Sequence, residues 1–158
     1  MKLLIVLGSG GHTKEMTRLV DLLGSGYEYA YLYCADDRLS LDKIRVPGPT
    51  YGIIRPRKKV MGWPVILLRT LWATLQSLVA LVRVRPRAIL SAGPGVAVPA
   101  CALAKLLGVK VIYIETGSRV FALSSTGKIL YRLADMFFVQ WPELLAICPK
   151  GIYEGRLF

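Results

Sequence analysis

The chain has 158 residues, 54% of them apolar, with 21 Lys and Arg against 10 Asp and Glu and a formal net charge of +11. That is enough for a single domain, 1 to 158, with a real core, but short for a two-domain enzyme, so a partner subunit is expected. An apolar and basic chain suits an anionic membrane surface or a phosphorylated ligand, and nucleic acid is set aside because the basic residues are not interleaved with aromatics in a recognisable binding module.

The first element is the strand "LLIVL" (3 to 7). The apolar run from Met1 stops at Gly8, too short for a signal peptide with its cleavage site. A glycine turn, "GSGGHT" (8 to 13), leads into a helix over 12 to 23. A strand over 27 to 35 follows, then a loop from 36 to 49 that is expected to be the most mobile segment, and a strand over 50 to 54. A long apolar helix runs over 63 to 84. The strand at 88 to 90 leads through "SAGPG" (91 to 95) to a helix over 96 to 107, and the strand at 110 to 114 is followed by "ETGSR" (115 to 119). A helix over 126 to 134, a strand over 136 to 140 and a short helix at 142 to 147 after Pro142 complete the chain. Continuous apolar strands alternating with helices predict an α/β fold with a doubly wound parallel sheet.

In such a sheet ligands sit beyond the carboxyl ends of the strands, which singles out the three loops at 8 to 13, 91 to 95 and 115 to 119. Glycines at positions 8, 10 and 11 remove Cβ atoms at a sharp turn, and the helix after them offers unpaired N–H groups to an anion. Three readings stay open for this turn: a dinucleotide site, another kind of phosphate cradle, or a tight corner only. The dinucleotide fingerprint needs a third glycine where Thr13 stands, and an acidic residue after the second strand, a part Asp36 or Asp37 could fill. The Gly-Lys-Ser/Thr ending of a nucleotide P-loop is absent. Gly93 and Gly95 repeat the device, so two helix N-termini facing one crevice suit a diphosphate.

His12, the only histidine, begins a helix, where the macrodipole keeps the ring neutral and able to accept a proton. Glu115 is the second candidate base, because a carboxylate ending a buried strand is costly unless it faces a ligand or is paired, for instance with Arg119. Cys34, Cys101 and Cys148 are odd in number and lack metal-ligand spacing. They predict neither disulfides nor a metal site, and a reducing, cytosol-facing location.

On a helical projection of 63 to 84, Leu68, Leu71, Trp72, Leu75, Leu78, Val79 and Val82 form one apolar face, with Arg69, Thr70, Thr74, Gln76 and Ser77 opposite. Its longest uncharged stretch, Thr70 to Val82, falls short of the ~20 residues of a membrane span. Arg55, Arg57, Lys58 and Lys59 precede it, and Arg83, Arg85 and Arg87 follow. Two readings stand side by side: an interfacial helix lying on anionic lipid, or a sheet-covering helix whose apolar face belongs to the core.

The stretches "GSGGHTKEM", "SAGPGVAVPACALAKLLGVKVIYIE" and "STGKILYRLADMFFVQWPEL", followed by "YEGRLF", resemble the asparagine-linked glycosylation protein 14 family and its prokaryotic relatives in exopolysaccharide assembly, over nearly the whole chain. The resemblance implies a Rossmann-like acceptor-side domain, the N-terminal half of a GT-B glycosyltransferase, active only with a donor-binding subunit of the asparagine-linked glycosylation protein 13 type. It implies transfer of N-acetylglucosamine from its UDP donor to N-acetylglucosamine-diphosphate-dolichol on the cytosolic membrane face, of the endoplasmic reticulum if eukaryotic or the plasma membrane if prokaryotic. No cofactor and no metal are implied. The sequence departs from the family pattern in having no membrane anchor ahead of the first strand, so the 63 to 84 helix is expected to be the membrane contact.

On this reading His12 or Glu115 is the base. Gly8, Ser9, Gly10, Gly11, Thr13, Gly93, Gly95, Ser118 and Arg119 hold the acceptor diphosphate, and Gln140, Trp141, Gly155, Leu157 and Phe158 face the partner, the last three within a docking tail over 152 to 158. The alternatives are an exopolysaccharide glycosyltransferase subunit using another sugar, an NAD(P)-dependent oxidoreductase domain, and a non-catalytic membrane scaffold.

Overall fold

The computed structural model describes residues 1–56 and 61–157. Arg57, Lys58 and Lys59 of the basic flank, and Phe158 of the tail, lie outside the described residues. Seven strands run parallel among those described: β1 (Lys2–Val6), β2 (Glu28–Cys34), β3 (Thr50–Ile53), β4 (Ala88–Ala92), β5 (Lys110–Ile114), β6 (Met136–Val139) and β7 (Ile152–Tyr153), in the order β3-β2-β1-β4-β5-β6-β7. The sheet grows from β1 in both directions. Leu4, for example, lies between Ala30 of β2 and Ile89 of β4. The carboxyl ends of β1 and β4, adjacent in space and far apart in sequence, are therefore the switch point where such folds bind ligands.

Both faces of the central strands are buried, which is why their sequences are continuously apolar instead of alternating. Leu4, Val6, Ile89, Val111 and Tyr113 pack beneath α2 (Trp63–Val84), α3 (Ala97–Leu106) and α4 (Ser125–Leu133). Leu3, Ile5, Leu7 and Leu90 face the other way, with Met16 and Val20 of α1 (Gly11–Leu23). The six expected strands appear within two residues of their expected ends, and α2 on its expected bounds. Strand β7 was not legible: it has two residues, and only its pairing with β6 marks it as a strand. The segment at 142 to 147 is a 3₁₀ turn, Pro142–Ala146.

The segment from 36 to 49 is a correction to the expectation of mobility. It carries a 3₁₀ turn, Arg38–Lys43, with Ser40 buried, and Ile44 and Val46 pack against the core. The Tyr31 hydroxyl donates to the Val46 carbonyl at 2.7 Å. A Cβ on Gly48 would lie 2.1 Å from the Tyr29 carbonyl oxygen, so the chain presses directly on β2 there.

Helix α2 overturns the core reading of its apolar face. Leu68, Leu71 and Trp72 are 66%, 59% and 54% exposed, Leu75, Val79 and Val82 are exposed too, and Leu78 is half-buried. The buried residues are Ala73, Ser77, Ala80, Leu81 and Val84, a narrow stripe of mostly small side chains. The polar residues turn toward the protein. Arg69 Nε donates to the Arg55 carbonyl at 3.1 Å, and the Ile54 N–H donates to Gln76 Oε1 at 2.8 Å. With a mean hydropathy of 1.8 over its most apolar stretch, α2 is long and apolar enough to cross a membrane by length and composition. Its inner stripe lies on the rest of the domain, however, so only the outer face is open to a second medium.

Candidate functional site

The two glycine turns meet. Gly10, at φ +65, lets the chain reverse after β1, and His12 follows in the first turn of α1. Gly93, at φ +82, does the same after β4. A Cβ on Gly93 would stand 2.2 Å from Cε1 and 2.4 Å from Nδ1 of His12, so the imidazole rests directly on the Gly93 backbone. A Cβ on Gly8 would stand 2.7 Å from the His12 Cβ and 2.8 Å from the Pro94 Cβ. The lost side chains are thus what allow the β1 and β4 turns to pack against each other with one ring between them.

Above this junction lies a cleft of about 520 Å³, lined by Gly8, Ser9, His12, Gly93, Pro94 and Gly95, with Arg55 on one side and Thr126 and Ile129 of α4 on another. The first helical bond of α1 runs from the Lys14 N–H to the Gly10 carbonyl, so the amides of Gly11, His12 and Thr13 have no acceptor within the helix. In α3 the Ala97 N–H donates to Pro94 and the Val98 N–H to Gly95, which leaves the amides of Gly95 and Val96 at the open end of the turn. Amide groups and helix dipoles of this kind favour an anion.

Arg55, which the sequence reading placed only in a basic flank, adds a cation to the same wall. Its Nη1 donates to Ser9 Oγ at 3.4 Å, and its Nη2 lies 3.2 Å from Asp36. Asp37 accepts a hydrogen bond from Ser40 at 2.8 Å. Both carboxylates proposed for a nucleotide ribose therefore have partners in the protein itself.

Behind His12 stands Glu15, a residue the sequence reading passed over. It is buried, one helical turn beyond the histidine, with Oε2 3.5 Å from His12 Nδ1. Its Oε1 accepts from the Gly117 N–H at 2.7 Å, Gln140 Nε2 at 3.0 Å and the Thr116 hydroxyl at 3.1 Å. Burial pushes this carboxyl up, but the His12 ring and these donors outweigh it and hold it below the ordinary carboxylate value. A buried anion therefore faces Nδ1, and the ring, with about a third of its side chain exposed (32%), turns its other edge to the cleft. A carboxylate behind an imidazole fixes ring orientation and favours the tautomer that leaves the far nitrogen free to take a proton. The signal was present as the i, i+3 spacing of His12 and Glu15.

Several expected site residues do other work. Glu115 is fully buried and does not line the cleft. It accepts from the Thr116 N–H at 3.0 Å and from the Ser124 N–H and hydroxyl at 3.0 and 3.2 Å. Burial raises its carboxyl more than these bonds lower it. Since Ser124 also caps α4 by accepting from the Gly127 N–H at 2.8 Å, Glu115 braces the start of that helix. Thr13 is buried, with its hydroxyl given to the Gly8 carbonyl, and it locks the turn from inside. Ser118 and Arg119 are exposed on the loop after β5 and do not line the cleft, while Gly10 and Gly11 form the exposed bend between Ser9 and His12.

Two of the expected partner-facing residues make their contacts within the domain, Gln140 buried and Trp141 half-buried. Gln140 is buried and hydrogen-bonded on both sides of its amide. Trp141 Nε1 donates to the Gly117 carbonyl at 2.7 Å, and its ring lies under the Arg156 guanidinium at 4.3 Å. The tail folds back on its own domain. Gly155, at φ +98, makes the bend, and Leu157 packs against the core beside an apolar groove of about 380 Å³ that runs between α1 and β6. Among the described residues no cluster of side chains is arranged to hold a metal ion.

This architecture, a parallel sheet with amide-rich turns over its switch point, defines a Rossmann-like domain. The chain superposes on the crystal structure of Acinetobacter baumannii MurG with a TM-score of 0.75 at 20% identity, covering 99% of this chain and 45% of that one. It superposes on UDP-GlcNAc 2-epimerase from Methanocaldococcus jannaschii with a TM-score of 0.75 at 16% identity, covering 99% and 46%. The chain thus spans less than half the length of these solved structures. Residues 3–157 match the family described as "Oligosaccharide biosynthesis protein Alg14 like", and the chain belongs to that family, as a glycosyltransferase subunit. It is 37% identical to the human UDP-N-acetylglucosamine transferase subunit ALG14, over 99% of this chain and 83% of the relative. It is 39% identical to the subunit of the same name from Candida albicans, over 99% and 78%.

Proposed function

We propose that the chain is the acceptor-side subunit of a two-subunit N-acetylglucosamine transferase, holding a lipid-diphosphate sugar in the cleft between the β1 and β4 turns. The observation that carries the reading is the seating of the His12 ring on the Gly93 backbone, which joins both turns over one cleft. The diphosphate lies against the open amides of the two turns, with Arg55 beside it. His12, held from behind by Glu15, takes the proton from the acceptor hydroxyl as that oxygen attacks the anomeric carbon of the donor sugar and UDP leaves from the opposite side.

The names of the human and Candida relatives support N-acetylglucosamine as the transferred sugar and the existence of a second subunit, and the family resemblance gives that subunit the UDP donor. The acceptor is N-acetylglucosamine-diphosphate-dolichol, by the family resemblance. The exposed face of α2, with Arg83, Arg85 and Arg87 at its end, lies on the cytosolic leaflet and brings the cleft to the lipid. The donor subunit seats on the side of the tail and its apolar groove. The test is disaccharide formation from lipid-diphosphate N-acetylglucosamine and UDP-N-acetylglucosamine by the assembled complex. His12→Ala lowers turnover by a factor of about 10² to 10⁴, and turnover within a few-fold of the native complex would remove His12 as the base.

A further inference from the structure

Gln140 sits at the centre of the domain and touches three parts of it. Its Nε2 donates to Glu15 Oε1 at 3.0 Å and to the Glu115 carbonyl at 3.1 Å, while its Oε1 accepts the Leu157 N–H at 2.9 Å. The amide can be assigned only this way round, because a carboxylate and a carbonyl accept and a backbone N–H donates. Glu15 Oε2 in turn faces His12 Nδ1 across 3.5 Å as an ion-pair contact, and both atoms are buried with no hydrogen-bond partner of their own. Hydrogen bonds therefore lead from the backbone of the C-terminal segment through Gln140 to Glu15, whose other carboxylate oxygen faces the back of the only histidine, on the side away from the cleft.

We propose that Gln140 is a positioning residue that makes the seating of the C-terminal segment a condition for the orientation of His12. The proposal rests on the reading of His12 as the base, but its geometry does not. Leu157 is the last described residue and follows the bend at Gly155, so its N–H reaches Gln140 only when the tail is folded back. When it is, the Gln140 amide is pinned and its two N–H groups are fixed on Glu15 and on the end of β5. When the tail lifts, the amide is free to rotate, and Glu15 loses one of its three donors on Oε1. The carboxylate then swings, and with it the anion that selects the Nδ1-protonated ring. Because the tail also borders the groove between α1 and β6, anything that docks there acts on the base through this path.

The experiment uses the full chain with ¹⁵N-labelled imidazole, reconstituted with its donor subunit, where the one histidine gives a single pair of ring nitrogen signals. In the native protein these report one tautomer, with the proton on Nδ1. Gln140→Met, close in volume and without hydrogen bonds, shifts them toward the tautomer average. It lowers kcat about tenfold while the acceptor KM stays within about twofold, as expected for a misplaced group that does not touch substrate. Leu157→Pro, which removes the N–H that Gln140 accepts, moves the signals the same way, and a thermal melt of each variant confirms that the fold is intact. Leu157→Ala, which keeps the N–H, leaves them in place. Ring signals unchanged in both Gln140→Met and Leu157→Pro, with the fold intact, overturn the proposal even if His12→Ala is inactive. Signals that move as expected while His12→Ala keeps its turnover uphold the relay and defeat His12 as the base.

Discussion

Gly93→Ala is the substitution whose cost the structure fixes most closely. The position has φ +82, where L side chains are strained, and the added Cβ would lie 2.2 Å from Cε1 of His12, more than an ångström inside ordinary contact. The backbone term costs about 1 to 3 kcal/mol. For a domain of this size each kcal/mol lowers Tm by about 2 to 4 °C, so a fall of roughly 2 to 12 °C is expected. The larger effect is on the reaction, because the ring must move by about an ångström to admit the methyl group, and a displacement of that size at a reacting group costs on the order of 10²-fold in rate. The assay is disaccharide formation by the assembled complex together with a thermal melt of the same preparation. Gly26→Ala is the control, since no atom lies within 4 Å of the Cβ it would add. Gly93→Ala with native Tm and turnover would mean that the histidine does not rest on this glycine, and the junction of the two turns would fall with it.

On the outer face of α2, replacing Leu71, Trp72 and Leu75 together by Gln is expected to abolish flotation with anionic vesicles. Each change moves stability by less than about 0.5 kcal/mol, because the side chains touch little of the protein. A collapse in Tm would return this face to the core. Asp135 is held down to about 2 by the Lys105 ammonium at 2.7 Å, with the Val111 N–H also donating to it. A depressed carboxyl stabilises above its unfolded value, 3.8, and loses the contribution as pH falls through about 2. Asp135→Asn therefore lowers Tm at pH 7, with an effect that shrinks as pH falls below 3.8 and is gone only below about 2. The partly exposed pair makes the loss roughly 1 kcal/mol, and a pH-independent difference would contradict the assignment. Cys34, Cys101 and Cys148 are all buried, and burial raises the Cys101 thiol to about 12. All three are expected to resist thiol reagents until the protein unfolds, and rapid labelling of the native chain would show the packing around them to be open.

The sheet was legible because buried parallel strands announce themselves as unbroken apolar runs such as "LLIVL" and "KVIYI". The switch point was legible as well, since glycines cluster where the β1 and β4 turns must press together. What the sequence hid was the direction in which polar groups point. Glu115 and Glu15 are both carboxylates beside a glycine turn or a helix start, and only the fold shows one bracing α4 and the other facing the histidine. Gln140 and Thr13 look like surface contacts in a string of letters, yet each is buried with its hydrogen bonds made inside. For α2 the projection identified the apolar face, but hydrophobicity alone could not tell an outward face from a core face. The small side chains Ala73, Ser77 and Ala80 carry that information, because they let the opposite side of the helix approach the domain.

The central claim is that two turns grip one diphosphate, and an amide titration of the labelled chain with a short-chain N-acetylglucosaminyl diphosphate lipid tests it most directly. The backbone signals of Gly11 and His12 are expected to shift together with those of Gly95 and Val96, and to saturate at a single ligand concentration. Shifts confined to one of the two turns, or centred on the tail at Gly155 to Leu157, would contradict it.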